Sequence, residues 1–253
     1  MKMEQSNYIF GIRAVIEAIE AGREIDKVLV KKELSGPLAT ELLGLLRAHK
    51  VVTQRVPEER INRITRKNHQ GVVAYLSAVT YHSLNHVVPK LYEDGIIPFV
   101  VVLDGITDVR NFGAIARTCE CAGVDAIVIP ERGSVSVGAD AVKTSAGALM
   151  SLPVCREKNL SGAVKFLKEC GYTIVAATEK SEVSYTKGNY SGPVALVMGA
   201  EDTGISPEIM RYCDMPVSIP QFGRIQSLNV SVAAGIMIYE VVRQRLAEGM
   251  DVV

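Results

Sequence analysis

The stretch "IPQFGRIQSLNVSVAAGIMIYE", residues 219–240, places a polar, glycine-containing entrance before an apolar helix. Its apolar residues recur at helical spacing, which predicts a helix over Leu228–Leu246. Ser227 and Asn229 stand at the start of that helix, where their side chains can accept hydrogen bonds from the N–H groups of the first turn. A helix cap explains both residues without any function, so the other loops of the chain decide whether they also belong to a site.

Strands and helices alternate along the stretch that leads to this helix. The predicted strands cover 99–103, 126–129, 172–177, 194–198 and 217–219. The predicted helices cover 112–122, 160–170, 207–212 and 228–246. Nearly continuous apolar strands that alternate with helices indicate an α/β domain whose mostly parallel sheet is covered on both faces. We assign this domain to residues 98–253.

A smaller α/β unit precedes it. Helices are predicted over 12–21 and 37–50 and from about Pro57, with strands over 28–30, 51–54 and 71–77. Residues 80–97 combine a proline, two histidines and several polar residues with weak periodicity. We therefore predict a first domain over residues 1–79 and a linker over residues 80–97.

Composition excludes several classes of protein. The 253 residues are 48% hydrophobic and 22% charged, as expected for a packed globular chain. The five cysteines are scattered without a CxxC pair, which favours reduced thiols in a cytoplasmic protein over disulfides or a metal site. The longest apolar run, 96–103, is too short to cross a membrane. We expect a cytoplasmic protein with neither metal nor membrane partner.

Charge is distributed unevenly although the formal net charge is zero. Residues 1–80 hold 13 Lys/Arg against 9 Asp/Glu, whereas residues 81–253 hold 15 against 19. Four cations, Arg60, Arg63, Arg66 and Lys67, lie within eight positions of the basic first part. Such clustering is typical of a surface that contacts nucleic-acid phosphates, although a single charge run is more often a solvated helix face.

Three loops at predicted strand ends carry the informative polar residues. The first, "DGITDVRNFGAIARTCE", contains Asn111 and Arg117, and the second, "GAEDTGIS", contains Glu201. The third is the entrance to the last helix, with Ser227 and Asn229. Ligands of parallel α/β sheets bind outside the carboxyl ends of the strands, so the three loops predict a binding site.

Several familiar sites are missing from the sequence. It contains no GxGxxG or P-loop pattern, which argues against the usual dinucleotide and nucleoside-triphosphate sites. All four histidines lie at or before position 86, so no His–Asp pair is available to activate a serine nucleophile in the second domain. Without a Cys/His cluster, no metal is implied.

The three loops together resemble the three motifs of the SpoU (TrmH-type) RNA 2′-O-ribose methyltransferases of the SPOUT superfamily. The motifs read "DGITDVRNFGAIARTCECAGV", "LVMGAEDTGIS" and "IPQFGRIQSLNVSVAAGIMIYE", in the expected order, and the intervening "KTSAGALMSLPV" is also similar. Near the N-terminus, "YIFGIRAVIEAI" and "HQGVVAYLS" resemble the small substrate-binding domain of the branch that modifies ribosomal-RNA guanosines.

This resemblance implies a fold and a cofactor. The C-terminal domain would thread a deep trefoil knot, which is exceptional among proteins, and the N-terminal domain would be similar to ribosomal protein L30e. The cofactor would be S-adenosyl-L-methionine, bound by the backbone of the knot loops instead of a glycine fingerprint. By motif match, the cofactor would contact Thr178, Gly199, Ala200, Ile219, Pro220 and Leu228.

The resemblance also implies a homodimer whose active sites are completed by residues of both subunits. The helix predicted over Leu228–Leu246 would form part of the interface, where its small residues Ala233, Ala234 and Gly235 suit close packing. The catalytic positions of the family are occupied by Asn111, Arg117, Glu201, Ser227 and Asn229.

The implied reaction is transfer of a methyl group to a ribose 2′-hydroxyl, which needs positioning and a proton acceptor but no covalent step. Arg117 is an awkward base because a guanidinium stays protonated, so it either acts with the help of an RNA phosphate or orients phosphate and hydroxyl by bidentate bonding. The proton acceptor stays open. The implied substrate is a guanosine of large-subunit ribosomal RNA; a transfer-RNA ribose methyltransferase and a catalytically silent RNA-binding assembly factor are the alternatives.

Overall fold

The computed structural model describes residues 8–225 and 227–249. The described residues form two compact units. The first extends to Thr80 and also includes the segment Ser136–Asp140, and the second contains Tyr81–Val135 and the chain from Ala141 onward. Within the described residues, no helix is both long enough and apolar enough to cross a membrane.

The first unit is built on a four-stranded sheet with the order β1–β4–β2–β3. Its strands are β1 (Tyr8–Phe10), β2 (Ile25–Lys31), β3 (Thr53–Val56) and β4 (Val72–Leu76). Its helices are α1 (Ile12–Glu20), α2 (Pro37–Ala48) and α3 (Glu58–Asn62). The apolar residues of α1 and α2 pack on one face of the sheet, and Ile61 of α3 packs on the other.

Residues 80–97 contain regular structure, so their prediction as a linker is wrong. They form β5 (Tyr81–His82) and α4 (Leu84–Glu93), and β5 pairs with β8 (Val154–Glu157). Leu84 and Val88 are buried in the core of the second unit, which is why the helix is stable there. The sequence misleads here because Pro89, a residue that usually breaks helices, lies inside α4 among polar residues.

The second unit contains a seven-stranded sheet with the order β11–β9–β10–β6–β7–β8–β5, in which every pairing is parallel. The remaining strands are β6 (Phe99–Asp104), β7 (Ala126–Pro130), β9 (Thr173–Ala177), β10 (Val194–Gly199) and β11 (Met215–Val217). Its helices besides α4 are α5 (Val109–Cys121), α7 (Leu160–Glu169), α8 (Pro207–Met210) and α9 (Val230–Ala247), while α6 (Ala139–Thr144) begins within the segment assigned to the first unit. The predicted mostly parallel α/β sheet is confirmed, whereas the trefoil knot and the likeness to L30e stay predictions.

The strand order creates a switch point beside β6. From β6 the chain continues to β7 on one side, while β10 lies on the other side of β6. Gly199 at the end of β10 is paired with Asp104 at the end of β6, and Ala177 at the end of β9 is paired with Met198 and Val217. The loops that follow these strands therefore emerge at one edge of the sheet, where parallel α/β folds bind ligands.

Two helices that begin at this edge have side-chain caps. Asp108 caps α5, because its Oδ1 accepts hydrogen bonds from the backbone N–H groups of Arg110 (2.7 Å) and Asn111 (3.0 Å). These bonds lower the pKa of the Asp108 carboxyl. Asn229 caps α9, with its Oδ1 accepting from the N–H of Ser231 at 3.0 Å. Helix α9 thus begins at Val230, two residues later than predicted.

Candidate active site

Three side chains from three loops form one hydrogen-bonded cluster. The Asn229 amide nitrogen donates to Glu201 Oε1 at 2.8 Å and to Asn111 Oδ1 at 3.0 Å. The Asn111 amide nitrogen donates to the same Glu201 oxygen at 3.2 Å. Each side chain bonds both others, so the cluster fixes the first turn of α5, the loop after β10 and the start of α9 against one another.

Glu201 uses only one of its two oxygens in this cluster. Oε1 also accepts the backbone N–H of Val230 at 3.2 Å, so it holds one of the unpaired N–H groups at the start of α9. A carboxylate at this position also complements the positive end of the helix dipole. Oε2 accepts no hydrogen bond from any residue that the structure describes, which leaves it available to a substrate group.

A tight backbone approach shapes the loop that carries Glu201. A Cβ atom on Gly199 would lie 2.2 Å from the carbonyl carbon of Gly204, so no other residue fits without a backbone shift. Gly204 has a φ of +67°, a left-handed conformation that favours glycine. The Asp104 carboxylate accepts the N–H of Ser206 at 2.7 Å and ties the end of this loop to β6.

A cavity opens beside the cluster. Among its lining residues are five of the six that the sequence predicts as cofactor contacts, namely Thr178, Gly199, Ala200, Ile219 and Leu228. The sixth, Pro220, is exposed and is not among the described residues that line the cavity. Glu201 and Ser227, predicted as catalytic, also line it.

Sequence reasoning missed other residues of the cavity wall. They are Ala177, Glu179, Met198, Gly204, Val217, Gln221, Val230 and Ala233. Ala177, Met198 and Val217 are the strand-end neighbours of predicted contacts, and Val230 and Ala233 lie on the first turns of α9. Ala177, Met198 and Val217 could have been predicted from the ends of the strands, because the last residues of parallel strands border the same edge of the sheet.

Two predicted catalytic residues stand apart from the cluster. Ser227 makes no hydrogen bond with the described residues and does not cap α9, so its predicted capping role is wrong. Arg117 is exposed, forms no ion pair or hydrogen bond with a described residue, and is not in the cavity wall. It follows Asn111 by six residues in α5, which places it about two-thirds of a turn around the helix and roughly 9 Å along it.

The four predicted RNA-binding cations lie in the first unit. Arg60 is on α3, Arg63 follows its last residue, and Arg66 and Lys67 lie in the segment after it. All four are exposed, and none has a carboxylate within 4.0 Å among the residues described. Helix α3 is shorter than the sequence suggests.

In the described part of the chain, no group of carboxylate, cysteine and histidine side chains is arranged to hold a metal ion.

Comparison with known families identifies the second unit. Residues 98–239 match the SpoU rRNA Methylase family, and residues 8–82 match the family of domains described as RNA 2′-O ribose methyltransferase substrate binding. The chain belongs to the SpoU methylase family. A Staphylococcus saprophyticus protein named for the TrmH family of tRNA/rRNA methyltransferases is 36% identical over 94% of this chain and 95% of its own length.

Solved SpoU structures share the fold over nearly the whole chain. An AdoMet-bound rRNA methyltransferase from Sinorhizobium meliloti has a TM-score of 0.59 and 29% identity, covering 93% of this chain and 86% of its own. The SpoU methyltransferase AviRb from Streptomyces viridochromogenes, in complex with AdoMet, has a TM-score of 0.59 and 25% identity, covering 95% and 90%. The predicted family, its methylase activity and its cofactor are confirmed at the level of the family.

The residues of the cavity fit S-adenosylmethionine. Apolar side chains such as Ile219 and Leu228 suit an adenine ring, while the carboxylates of Glu179 and Glu201 suit the cationic end of the cofactor. Gly199 lets the backbone of Gly204 and Ile205 pack against the end of β10, which shapes this wall of the cavity.

Proposed function

We propose that this chain is a cytoplasmic enzyme that transfers the methyl group of S-adenosylmethionine to a ribose 2′-hydroxyl of RNA, at a guanosine of large-subunit ribosomal RNA. The observation that carries this proposal is the cluster of Asn111, Glu201 and Asn229 beside the cavity. A domain that matches RNA substrate-binding domains, and relatives described as rRNA methyltransferases, support the choice of substrate.

The cofactor would be held by Thr178, Gly199, Ala200, Ile219 and Leu228, with Ser227 at the same wall, whereas Pro220 lies outside that wall. S-adenosylmethionine supplies a methyl group on a sulfonium sulfur, which is ready for displacement by an oxygen nucleophile. The protein therefore has to orient the ribose, exclude water and accept one proton.

Glu201 fits two of these tasks. Its Oε1 holds the two asparagines and the start of α9, which fixes the carboxylate in place. Its Oε2 is available to accept the hydrogen bond of the 2′-hydroxyl and then its proton as the new oxygen–carbon bond forms. The asparagines Asn111 and Asn229 orient this carboxylate and do not themselves exchange protons.

Arg117 would hold an RNA phosphate through its planar guanidinium. It has no partner in the described part of its own chain, which suits a residue that acts on bound RNA or in a neighbouring subunit.

We propose a homodimer in which each active site is completed by residues of both subunits. The outward apolar side chains of α9, Val232, Tyr239 and Leu246, support an interface there, because they are 51%, 51% and 56% exposed in the single chain.

The basic cluster of Arg60, Arg63, Arg66 and Lys67 would bind RNA phosphates. Removing a cation that neutralises one phosphate should reduce the slope of log affinity against log salt by about 0.7 to 0.9. Replacing all four cations by Ala should therefore weaken RNA binding and flatten its salt dependence, while S-adenosylmethionine affinity stays at the wild-type value. An unchanged slope would reduce the cluster to a solvated face.

The decisive experiment maps ribose methylation in ribosomal and transfer RNA from a strain that lacks this gene, with transfer of labelled methyl groups by the purified protein as confirmation. Loss of one methylated guanosine in large-subunit RNA is the expected result. Loss of a methylated ribose in transfer RNA alone would favour a transfer-RNA ribose methyltransferase, an alternative that agrees with the tRNA/rRNA name of its relatives. Absence of both S-adenosylmethionine binding and transfer would instead indicate a silent assembly factor.

A further inference from the structure

Aromatic side chains form a cluster on one face of the N-terminal sheet. The rings of Tyr8 and Phe10 on β1 have centroids 6.4 Å apart, and the ring of Tyr75 on β4 lies 6.2 Å from that of Tyr8. Tyr8 and Tyr75 are direct cross-strand partners, which places both rings on the same face. All three side chains are half-buried. They pack against the small core around Ile61, and the Tyr8 hydroxyl donates to the backbone oxygen of Ile64 at 3.2 Å, which leaves part of each ring accessible to solvent.

Cations from three parts of the chain lie near these rings. The Lys27 ammonium on β2 lies 5.0 Å from the centre of the Tyr75 ring, and the Lys67 ammonium lies 5.9 Å from the centre of the Phe10 ring. Arg60 on α3 is close enough to act electrostatically on Tyr75. Within the described residues, none of the three cations has a carboxylate within 4.0 Å.

Single cation–π pairs are common in proteins, about one per 70–80 residues, and what distinguishes this cluster is that three cations gather at one aromatic patch. A half-buried aromatic group needs no neighbouring charge to pack, and three cations without carboxylate partners repel one another. Their positive charge does suit a polyanion, because phosphates would neutralise the cations while a base stacks on an exposed ring face. Nucleic-acid surfaces that combine cations with aromatic rings select unpaired nucleotides, since a paired base does not expose its face.

We propose that Tyr8, Phe10 and Tyr75 form a stacking platform for an unpaired nucleotide of the substrate RNA, with Lys27, Arg60 and Lys67 holding the flanking phosphates. This inference rests on the proposed function and narrows its substrate class to RNA with a loop or bulge. The platform selects the RNA, and the methyl transfer takes place at the separate cluster of Glu201.

The test uses the full chain and two RNA probes, a hairpin with a short pyrimidine loop and a blunt duplex with the same stem. Fluorescence anisotropy should show that the wild type binds the hairpin more tightly than the duplex. The double variant Tyr8→Leu/Phe10→Leu should lose that preference, with hairpin affinity reduced by about tenfold or more and duplex affinity unchanged. The conservative variant Tyr8→Phe should keep the preference.

A second readout does not depend on the stability of the double variant. The chain contains no tryptophan, so Phe10→Trp introduces a single fluorescent reporter into the platform. Stacking of a base on this indole should quench its emission when the hairpin is added, and the blunt duplex should leave it unchanged. Tyr92→Trp, a reporter at a 41% exposed position in the other unit, is the matched control and should not respond.

Two outcomes would overturn the proposal. Equal affinity of the wild type for hairpin and duplex, with no quenching of the Phe10→Trp reporter, would show that the rings are only structural or bind another partner such as a protein. Wild-type hairpin preference in the double leucine variant would place the platform elsewhere. Both measurements are made without S-adenosylmethionine. Failure of the proposed catalytic function is detected separately, as absence of S-adenosylmethionine binding in calorimetry.

Discussion

The Glu201 carboxylate accepts a 2.8 Å hydrogen bond from the amide nitrogen of Asn229, which joins the loop after β10 to the first residue before α9. The same oxygen also accepts the amide of Asn111 from α5. One carboxylate therefore aligns three segments that are far apart in the sequence. Its other oxygen remains available, and this asymmetry leads to the first prediction.

Glu201→Gln should keep the fold and S-adenosylmethionine binding, because the amide oxygen of Gln can still accept the bonds that Oε1 accepts. It should lower single-turnover methyl transfer by about 100-fold or more, since an amide cannot take up the hydroxyl proton. Asp202→Asn is the matched control on the adjacent, exposed residue and should leave the rate unchanged. Near wild-type transfer by Glu201→Gln would limit the role of Glu201 to positioning.

Gly199→Ala should abolish S-adenosylmethionine binding, because its Cβ would lie 2.2 Å from Gly204 and force the loop away from β10. Overpacking of this kind costs about 1–3 kcal/mol of unfolding free energy. Gly192→Ala is the matched control, since nothing lies within 4 Å of its Cβ and its backbone has no positive φ. Calorimetry with S-adenosylmethionine and thermal unfolding measure both effects. Normal binding by Gly199→Ala would show that the loop adapts without consequence.

Most of the second unit can be predicted from its apolar strands. Five of its seven strands follow from the sequence within a few residues, because long runs of Val, Ile and Leu are typical of buried parallel strands. Strands β5 and β8 do not, since β5 has only two residues and β8 (VCRE) ends in two charged residues, so neither shows an apolar run. The edge of the sheet that holds the site follows from the strand ends, and most of the predicted cofactor contacts do line the cavity there.

The cluster itself cannot be derived from local patterns. Asn111 and Asn229 are separated by 118 positions, and they meet only because α9, which follows the edge strand β11, packs back against α5 and β10. The role of Arg117 stays a prediction. Its six-residue spacing from Asn111 already implies a rotation of about two-thirds of a turn around α5, so a partner for its guanidinium has to come from outside the cluster.

Helix α9 carries the prediction for the dimer. Ala234 is fully buried within its own unit, so Ala234→Glu would disrupt the core and is a poor test of an interface. Tyr239→Glu changes an exposed position of the outward apolar face and should give a folded monomer with little activity. Ile96→Glu, at a 41% exposed position outside α9, is the control that should remain dimeric. Sedimentation of a fully active monomeric wild type would contradict the prediction.

The five cysteines should differ strongly in reactivity. Cys121 is exposed, whereas burial raises the pKa of Cys155 to about 12 and that of Cys213 to about 11. Because the thiolate is the reactive form, a raised pKa leaves almost none of it near neutral pH. Ellman's reagent should therefore modify one thiol per chain rapidly, Cys170 and Cys213 slowly, and the buried Cys119 and Cys155 only in urea. The slow reaction of Cys213 should accelerate as the pH rises toward its pKa, and Cys121→Ser should remove the fast phase. A fast phase of two or more thiols would contradict the burial.

The Arg117 side chain has no hydrogen-bond or ion-pair partner among the described residues of its own chain. An exposed helical arginine with only a structural role contributes within about 0.5 kcal/mol to stability, so its replacement by lysine should leave thermal unfolding unchanged. If Arg117 instead holds an RNA phosphate beside the 2′-hydroxyl, lysine cannot reproduce the bidentate geometry of the guanidinium. Arg117→Lys should then retain S-adenosylmethionine binding and lose most of the methyl-transfer rate at saturating RNA, because the missing interaction belongs to the transition state.

Single-turnover transfer of labelled methyl groups measures this loss directly, without interference from product release. Arg47→Lys provides the matched control, since Arg47 is also an exposed helical arginine but lies on α2 of the N-terminal unit. Mixing inactive Arg117→Lys chains with inactive Glu201→Gln chains should restore part of the activity if a site combines Arg117 of one subunit with Glu201 of the other. Without any restoration, both residues act within one chain, and a wild-type rate for Arg117→Lys would remove Arg117 from the reaction altogether.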